Sequence, residues 1–144
     1  MPAPKRPRLT KSKFRLLYLG TDVKLIMAVR KSLHESDYRL VACSDTGTAM
    51  MFLNSEIPYD LLLIDLEWRG REGLELAQLA RSLPHRKEMP IMLVTKSEVD
   101  DELANLARRS GVTHWVAKTR DMRSLCEAIP QMVEGRTTSE HNDS

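Results

Sequence analysis

The sequence predicts an α/β domain in which a five-stranded parallel sheet carries helices on both faces. Five short apolar runs alternate with segments whose apolar residues recur every three or four positions, the pattern of strands alternating with helices. The middle run, Leu61–Ile64, is apolar without interruption, which is typical of a strand covered on both faces. Because the links are short, successive strands are expected to lie parallel, with a helix in each crossover.

The first half of the chain contains two strand–helix pairs. The first strand is predicted over Phe14–Leu19, and Asp22 suits the N-cap of the helix that follows. The apolar stripe of that helix is Leu25, Ile26, Val29 and Leu33. A second strand is predicted over Arg39–Cys43, and Asp45-Thr46-Gly47 is predicted to form a turn. The second helix, which ends before Pro58, has its apolar positions at Ala49, Phe52 and Leu53.

The second half repeats this alternation. The third strand is predicted over Leu61–Ile64, and the helix after it carries Leu76, Leu79, Ala80 and Leu83. The fourth strand is Ile91–Val94, and Gly111 is the expected C-cap of the fourth helix, whose apolar positions are Leu103, Leu106 and Ala107. The fifth strand is Thr113–Ala117.

The last helix contains a proline. Asp121 is its predicted cap, and Leu125 and Ile129 lie on one face. Pro130 removes a backbone donor and crowds the carbonyl of Cys126, so a kink or an early end of the helix is expected there.

Length and composition indicate one domain with polar tails. With 144 residues, of which 42% are hydrophobic and 29% charged, the chain can form one globular core. Residues 1–13 form a basic, proline-containing arm that is expected to be disordered, residues 14–134 the domain, and residues 135–144 a polar C-terminal tail. No apolar run reaches the roughly 18–20 residues of a membrane span. Since no apolar signal segment follows the basic start either, a cytoplasmic protein is expected.

Several function classes are disfavoured. No recognition helix or aromatic stacking motif accompanies the basic arm, so a solvated tail is favoured over nucleic-acid binding. The histidines show no metal-ligand spacing, and Cys43 and Cys126 are expected to be reduced thiols in the core. No glycine-rich phosphate loop follows any strand, so an independent enzyme is not expected.

Three strand ends carry residues whose chemistry suits a phosphoryl group. The third, fourth and fifth strands run into Asp65, Thr95 and Lys118. The carboxyl ends of parallel strands meet at one edge, where open α/β folds bind ligands. A carboxylate there can attack phosphorus, while an ammonium and a hydroxyl can neutralise the phosphoryl oxygens. Each residue alone has an ordinary structural explanation, so it is their joint placement that predicts a site.

Four segments carry a resemblance to a known family: Tyr59–Leu66, Gly73–Leu76, Met89–Thr95 and Gly111–Lys118. They are similar to the receiver domain of bacterial two-component response regulators, and the similarity extends from about Phe14 to Val133. The resemblance implies the flavodoxin-like (βα)5 receiver fold. It also implies a phosphorelay function, with a sensor histidine kinase or a phosphotransfer protein as the phosphoryl donor.

The resemblance also implies roles for individual residues. Asp65 would be the phosphoacceptor, with Lys118 and Thr95 in contact with the phosphoryl group. Trp115 would be an aromatic that changes rotamer with phosphorylation. The backbone carbonyl of Glu67 matches a magnesium ligand of the family, beside Asp65 itself. The implied switch acts on the face formed by the last two helices and the last strand, and controls a downstream protein partner or a homodimer.

The expected magnesium site departs from the family pattern. The family ends its first strand with two adjacent acidic magnesium ligands, whereas this chain has Gly20-Thr21. Magnesium prefers hard, usually anionic oxygen ligands, so its binding is expected to be weak or absent. Two alternative roles are considered for the neighbouring Asp22: a substitute magnesium ligand or the N-cap of the first helix.

Two further positions are atypical. Lys96 follows Thr95 where the family has a very small residue, so its ammonium is expected to crowd the phosphate pocket and could partly replace the charge of a metal. Thr119 follows Lys118 where the family usually has proline. A cis peptide bond is therefore not expected there, because a non-proline cis bond costs roughly 2.5–4 kcal/mol.

Two interpretations of function remain open at the level of sequence. In the first, phosphorylation of Asp65 shifts Thr95 and Trp115 and remodels the face described above. In the second, an atypical receiver binds its partner without phosphorylation. The trio of Asp65, Thr95 and Lys118 favours the first, and the substitutions Gly20, Thr21, Lys96 and Thr119 favour the second. The sequence as a whole favours the first.

Overall fold

The architecture was obtained as a computed structural model, which describes residues 13–34, 36–69 and 71–143, without the side chains of 68, 69 and 136–143. The strands are β1 (Phe14–Leu19), β2 (Tyr38–Cys43), β3 (Leu61–Asp65), β4 (Ile91–Thr95) and β5 (His114–Ala117). The helices are α1 (Val23–Ser32), α2 (Thr46–Asn54), α3 (Leu66–Arg69), α4 (Arg71–Ser82), α5 (Asp101–Arg109) and α6 (Arg123–Asp143), with a 3-10 turn at Pro84–Arg86. The basic arm of residues 1–12 lies outside the described residues.

The five strands form one sheet in the order β2-β1-β3-β4-β5, and every neighbouring pair is parallel. This confirms the predicted fold class. The register pairs Asp65 with Val94 and Thr95 with Ala117, so the ends of β3, β4 and β5 lie at the same edge. That edge is called the carboxyl edge below, and the opposite one the amino edge.

Alternating side chains of the strands supply two cores, one on each face of the sheet. Along β1, Leu17 and Leu19 join the core beneath α2, α4 and α5, whereas Leu16 and Tyr18 join the core beneath α1 and α6. All four side chains are fully buried, as expected for a strand with a period of two and helices on both faces.

Two local predictions fail for identifiable reasons. Thr46 and Gly47 begin α2 rather than forming a turn, because Asp45 caps the helix by accepting a hydrogen bond from the Thr48 amide at 2.7 Å. The early end at Pro130 is also wrong, since α6 continues to Asp143 and covers the segment predicted as a polar tail. Its buried residues stand on both sides of the proline, at Leu125, Ile129 and Val133.

Other helix ends agree with the sequence analysis. Asp22 and Asp121 accept hydrogen bonds from the amides of Leu25 and Arg123, at 3.2 and 3.1 Å. Gly111 follows α5 with φ 97°, a left-handed conformation that glycine adopts without strain. The short helix α3 was not predicted. Within the described part of the chain, no helix has the length and apolar character that crossing a membrane requires.

Candidate functional site

The carboxyl edge brings Asp65 and Lys118 into direct contact. The Lys118 ammonium lies 2.9 Å from Oδ2 of Asp65. Thr95 is at the same edge and buried, but its hydroxyl donates to the carbonyl oxygen of Ser97 at 2.7 Å. Its own carbonyl accepts from the Lys118 amide at 2.7 Å, which holds the loop after β5 against β4. The structure therefore joins two of the three residues through side chains and the third through the backbone.

The carboxylate of Asp65 is enclosed by donors. Its Oδ2 accepts from the Tyr18 hydroxyl at 2.6 Å and faces the Lys118 ammonium, while its Oδ1 accepts from the amide of Glu67 at 3.0 Å. Only 2% of Asp65 is exposed. Both oxygens are thus engaged within the protein, and little of the carboxylate faces solvent.

Lys118 is surrounded by three carboxylates. Its Nζ lies 2.8 Å from Asp22 Oδ2, 2.9 Å from Asp65 Oδ2 and 3.8 Å from Glu67 Oε1. Burial alone lowers the pKa of Lys118, but the hydrogen bonds and charges of Asp22 and Asp65 outweigh it and raise that pKa above the usual lysine value. The ammonium is therefore charged at neutral pH and bridges α1 to β3.

Asp22 performs two tasks with its two carboxylate oxygens. Oδ1 caps α1 through the Leu25 amide, and Oδ2 accepts from Lys118. Burial raises the pKa of Asp22, but hydrogen bonds from Lys118 and from backbone amides lower it overall. The N-cap role predicted from sequence is confirmed, and the second oxygen binds an ammonium.

Tyr18 completes the site and was missed in the sequence analysis. Its fully buried hydroxyl donates to Asp65 and accepts from the Asp22 amide at 3.2 Å. Burial, followed by the hydrogen bond to Asp65, raises the pKa of the phenol well above its ordinary value. The available signal was a phenol in an otherwise aliphatic strand end, two residues before a glycine, since a buried tyrosine hydroxyl needs a partner.

The tyrosine ring also occupies the space beside Gly20. A Cβ placed on Gly20 would lie 2.5 Å from the Tyr18 hydroxyl, 2.6 Å from Tyr18 Cζ and 2.7 Å from Asp65 Cβ. These distances are far below van der Waals contact. A carboxylate cannot be accommodated at position 20 while Tyr18 keeps this conformation.

The residues present do not fit a magnesium ion. Position 20 has no side chain, and the carboxylates of Asp22, Asp65 and Glu67 are spaced around an ammonium. Among the described residues, no group of three or more His, Cys, Asp or Glu side chains is placed to hold a metal ion. Magnesium binds through near-octahedral, hard oxygen ligands, and this donor set is already satisfied by Lys118.

The remaining candidates lie around the mouth of the site. Lys96 is exposed, and within the described residues no hydrogen bond or ion pair places it in the pocket, so the cation that contacts Asp65 is Lys118. The described chain contains no cis peptide bond, in agreement with the expectation for Thr119. Trp115 is 36% exposed, and the Arg108 guanidinium lies 5.7 Å from its ring centre.

Comparison with known proteins shows what this arrangement is similar to. A family model described as the response regulator receiver domain matches residues 20–130. The cyclic di-GMP phosphodiesterase response regulator RpfG of Xanthomonas campestris pv. campestris is 34% identical over 76 residues, which cover 51% of this chain and 20% of RpfG. The chemotaxis protein CheY of Pseudomonas aeruginosa is 24% identical over 106 residues, covering 74% of this chain and 85% of CheY.

Solved structures share the fold. The phosphorylated cyanobacterial phytochrome response regulator RcpA has a TM-score of 0.72 at 16% identity, covering 87% of this chain and 96% of RcpA. At that identity the likeness concerns the fold alone. The chain spans only a fifth of the length of RpfG, so the match to RpfG likewise concerns one part of a longer protein.

Proposed function

Because this chain belongs to the response regulator receiver domain family, we propose that it transmits a two-component signal by binding a protein partner without phosphorylation of Asp65. The partner would bind the output face, which consists of α5, β5 and α6. No catalysis is assigned to the chain. The proposal adopts the second interpretation of the sequence, because the site around Asp65 supports it better than the first.

The engagement of Asp65 is the observation that carries this proposal. Its two oxygens are occupied by Tyr18, Lys118 and the Glu67 amide, and it is almost completely buried. A phosphoryl group adds roughly 1.5 to 2 negative charges, which must be neutralised locally. Asp22 and Glu67 already place two further carboxylates beside Lys118, so this pocket offers one ammonium against an excess of negative charge.

The output face has the features of a binding surface. Trp115 is partly exposed on the edge strand β5 and lies between two cavities. One cavity, of about 320 Å³, is lined by Thr95, Ser97, Glu98, Val99, Trp115 and Ala117. The other, of about 220 Å³, is lined by Met92, His114, Trp115, Val116, Ala128, Gln131 and Met132. Tryptophan is enriched among the residues that dominate binding energy at protein interfaces.

Phosphorylation of Asp65 by a histidine kinase is the second candidate function. It is favoured by the placement of Asp65, Thr95 and Lys118 at one edge, and by a structural neighbour that is described as phosphorylated. In this alternative, the phosphoryl group would displace Tyr18 from Asp65, and the change would reach Trp115 through Thr95.

A phosphorylation assay separates the two candidates. The chain would be incubated with acetyl phosphate and Mg²⁺, its intact mass measured, and beryllofluoride titrated in a Trp68→Phe background so that Trp115 is the sole fluorescent tryptophan. We expect no gain of a phosphoryl group and no saturable change in fluorescence. A gain in mass or a saturable change, either of them lost in Asp65→Asn, would establish the second candidate.

Partner binding supplies the complementary measurement. With a captured partner or a second copy of the chain, Asp65→Asn should leave the dissociation constant within about twofold, whereas Trp115→Ala should raise it about tenfold or more. Lys31→Ala, an exposed position on α1 outside the output face, is a control that should change little. A loss of binding in Asp65→Asn equal to that in Trp115→Ala would contradict the proposal.

A further inference from the structure

The pocket contains a positive charge that belongs to the chain itself. Three carboxylate oxygens, from Asp22, Asp65 and Glu67, lie within 3.8 Å of the Lys118 ammonium, and only 10% of the Lys118 side chain is exposed. Several anionic oxygens around one point are the surroundings that a bound cation needs. Here the ammonium provides that charge.

The space beside this ammonium is closed by a second residue. The Tyr18 ring lies where a side chain at position 20 would extend, and its hydroxyl contacts both Asp65 and the Asp22 amide. A divalent ion would therefore have to displace the ammonium from two short contacts and also move a fully buried ring.

We propose that the ammonium of Lys118 is the resident cation of this pocket, and that Tyr18, packed against Gly20, closes the pocket to divalent metal ions. The carboxylates of Asp22 and Asp65 are held together by a group that cannot diffuse away. The conformation of the carboxyl edge is then independent of the concentration of free Mg²⁺. This inference rests on the proposed function, because it assumes that Asp65 is not phosphorylated.

Metal binding can be measured directly with Mn²⁺, whose electron paramagnetic resonance signal is lost on binding. In the wild-type chain we expect the free Mn²⁺ signal to match that of buffer. Lys118→Met removes the positive charge from among three carboxylates, so the apparent affinity for Mn²⁺ should rise by at least about tenfold. Adding Asp65→Asn to that variant should abolish the gain. Lys96→Met, which removes an exposed lysine from the same edge, should behave as wild type.

The role of Tyr18 is tested in the same background. Tyr18→Leu combined with Lys118→Met should bind Mn²⁺ more tightly than Lys118→Met alone, because the space beside Gly20 opens. Tyr18→Phe in that background retains the ring and should give a smaller gain. Equal affinities in the leucine and phenylalanine variants would show that the ring does not close the pocket.

Two results would overturn the proposal as a whole. One is wild-type binding of Mn²⁺ with the affinity of Lys118→Met, and the other is no binding by a chain that carries both Tyr18→Leu and Lys118→Met and whose circular dichroism shows that it is folded. If Lys118→Met does not fold, Lys118→Gln keeps a donor for Asp22 and Asp65 and should show the same gain more weakly. In the wild-type chain, a saturable Mg²⁺-induced shift of the Asp22 and Glu67 amide resonances would also refute closure. These readouts are separate from partner binding by Asp65→Asn, so either proposal can fail alone.

Discussion

Two cations whose side chains are largely enclosed lie at opposite edges of the sheet and are held by different acceptors. At the carboxyl edge, Lys118 contacts carboxylates. At the amino edge, Arg86 is 3% exposed and donates to main-chain carbonyl oxygens of the segment that ends α2 and leads to β3. The donor–acceptor distances are 3.0 Å to Leu53, 3.3 Å to Phe52, 3.0 Å to Ser55 and 2.7 Å to Ile57.

The difference in acceptors indicates that Arg86 has a structural role, whereas Lys118 belongs to the candidate site. Arg86 donates to carbonyls at the end of α2, together with Ser55 and His85, and its guanidinium also lies 5.3 Å from the centre of the Tyr59 ring. Carbonyl oxygens cannot gain or lose charge, so this contact has one stable arrangement. Lys118 faces carboxylates, whose charge can be altered by protonation, phosphorylation or a metal. The carboxyl edge is thus the one where chemistry can change the structure.

The largest effect should come from the amino edge. Arg86→Met removes four hydrogen bonds from a charged donor, each worth roughly 1.5–3 kcal/mol, so the free energy of unfolding should fall by about 3 kcal/mol or more. Urea denaturation of the variant and of the wild type measures this loss of stability. Arg123→Met is the control, because its side chain is 76% exposed in a surface ion pair, and it should change stability by about 0.5 kcal/mol or less. A loss below about 1 kcal/mol in Arg86→Met would show that the Arg86 hydrogen bonds contribute little to stability.

The next effect tests the packing of Gly20 against Tyr18. Gly20→Ala places a methyl group against the tyrosine ring and should destabilise the fold by about 1–3 kcal/mol. The loss should be smaller in a Tyr18→Leu background. Gly135→Ala is a control of opposite sign, because no atom of the described residues lies within 4 Å of its added methyl group and alanine stabilises a helix by about 0.5–1 kcal/mol relative to glycine. An unchanged stability in Gly20→Ala would show that the position is open.

Removal of one hydroxyl should cost less. Tyr18→Phe deletes the hydrogen bonds to Asp65 and from the Asp22 amide, with an expected loss of about 1–2 kcal/mol in chemical denaturation. Tyr59→Phe is the matched control, since no hydrogen bond involves the Tyr59 hydroxyl among the described residues. Equal losses in the two variants would mean that the Tyr18 hydroxyl has no special role.

The smallest effect concerns the thiol at the end of β2, at the carboxyl edge. Burial, with a contribution from Asp45, raises the pKa of Cys43 from 9.0 to about 11. As the pH rises, the unfolded chain therefore releases the thiol proton before the folded chain does. The stability that the protonated Cys43 contributes to the folded state is complete below pH 9.0 and is lost as the pH rises through about 11. The stability difference between wild type and Cys43→Ala should shrink over that range. Parallel curves for wild type and Cys43→Ala would contradict the prediction.

Much of the fold was predictable because the apolar pattern of each segment agrees with its burial in the folded sheet. The strand at Phe14–Leu19 was predicted with its observed bounds, and the strands ending near Asp65 and Thr95 within one residue. The failures at Thr46–Gly47 and Pro130 have different causes. At Thr46–Gly47 a short-range hydrogen bond from the Thr48 amide to the Asp45 side chain begins α2 where a turn was predicted, whereas at Pro130 the buried face of α6 continues on both sides of the proline.

The parallel sheet, the meeting of Asp65, Thr95 and Lys118 at one edge, and the absence of acidic side chains at Gly20-Thr21 follow from strand periodicity and from residue identity, both of which are local properties. The bridge from Lys118 to Asp22 and Asp65, and the Tyr18 ring in the space beside Gly20, arise from tertiary packing. Lys118 lies 96 positions from Asp22 and 53 from Asp65 in the chain, and the Tyr18 contact depends on the direction of a side chain at a strand end, so packing alone determines these contacts.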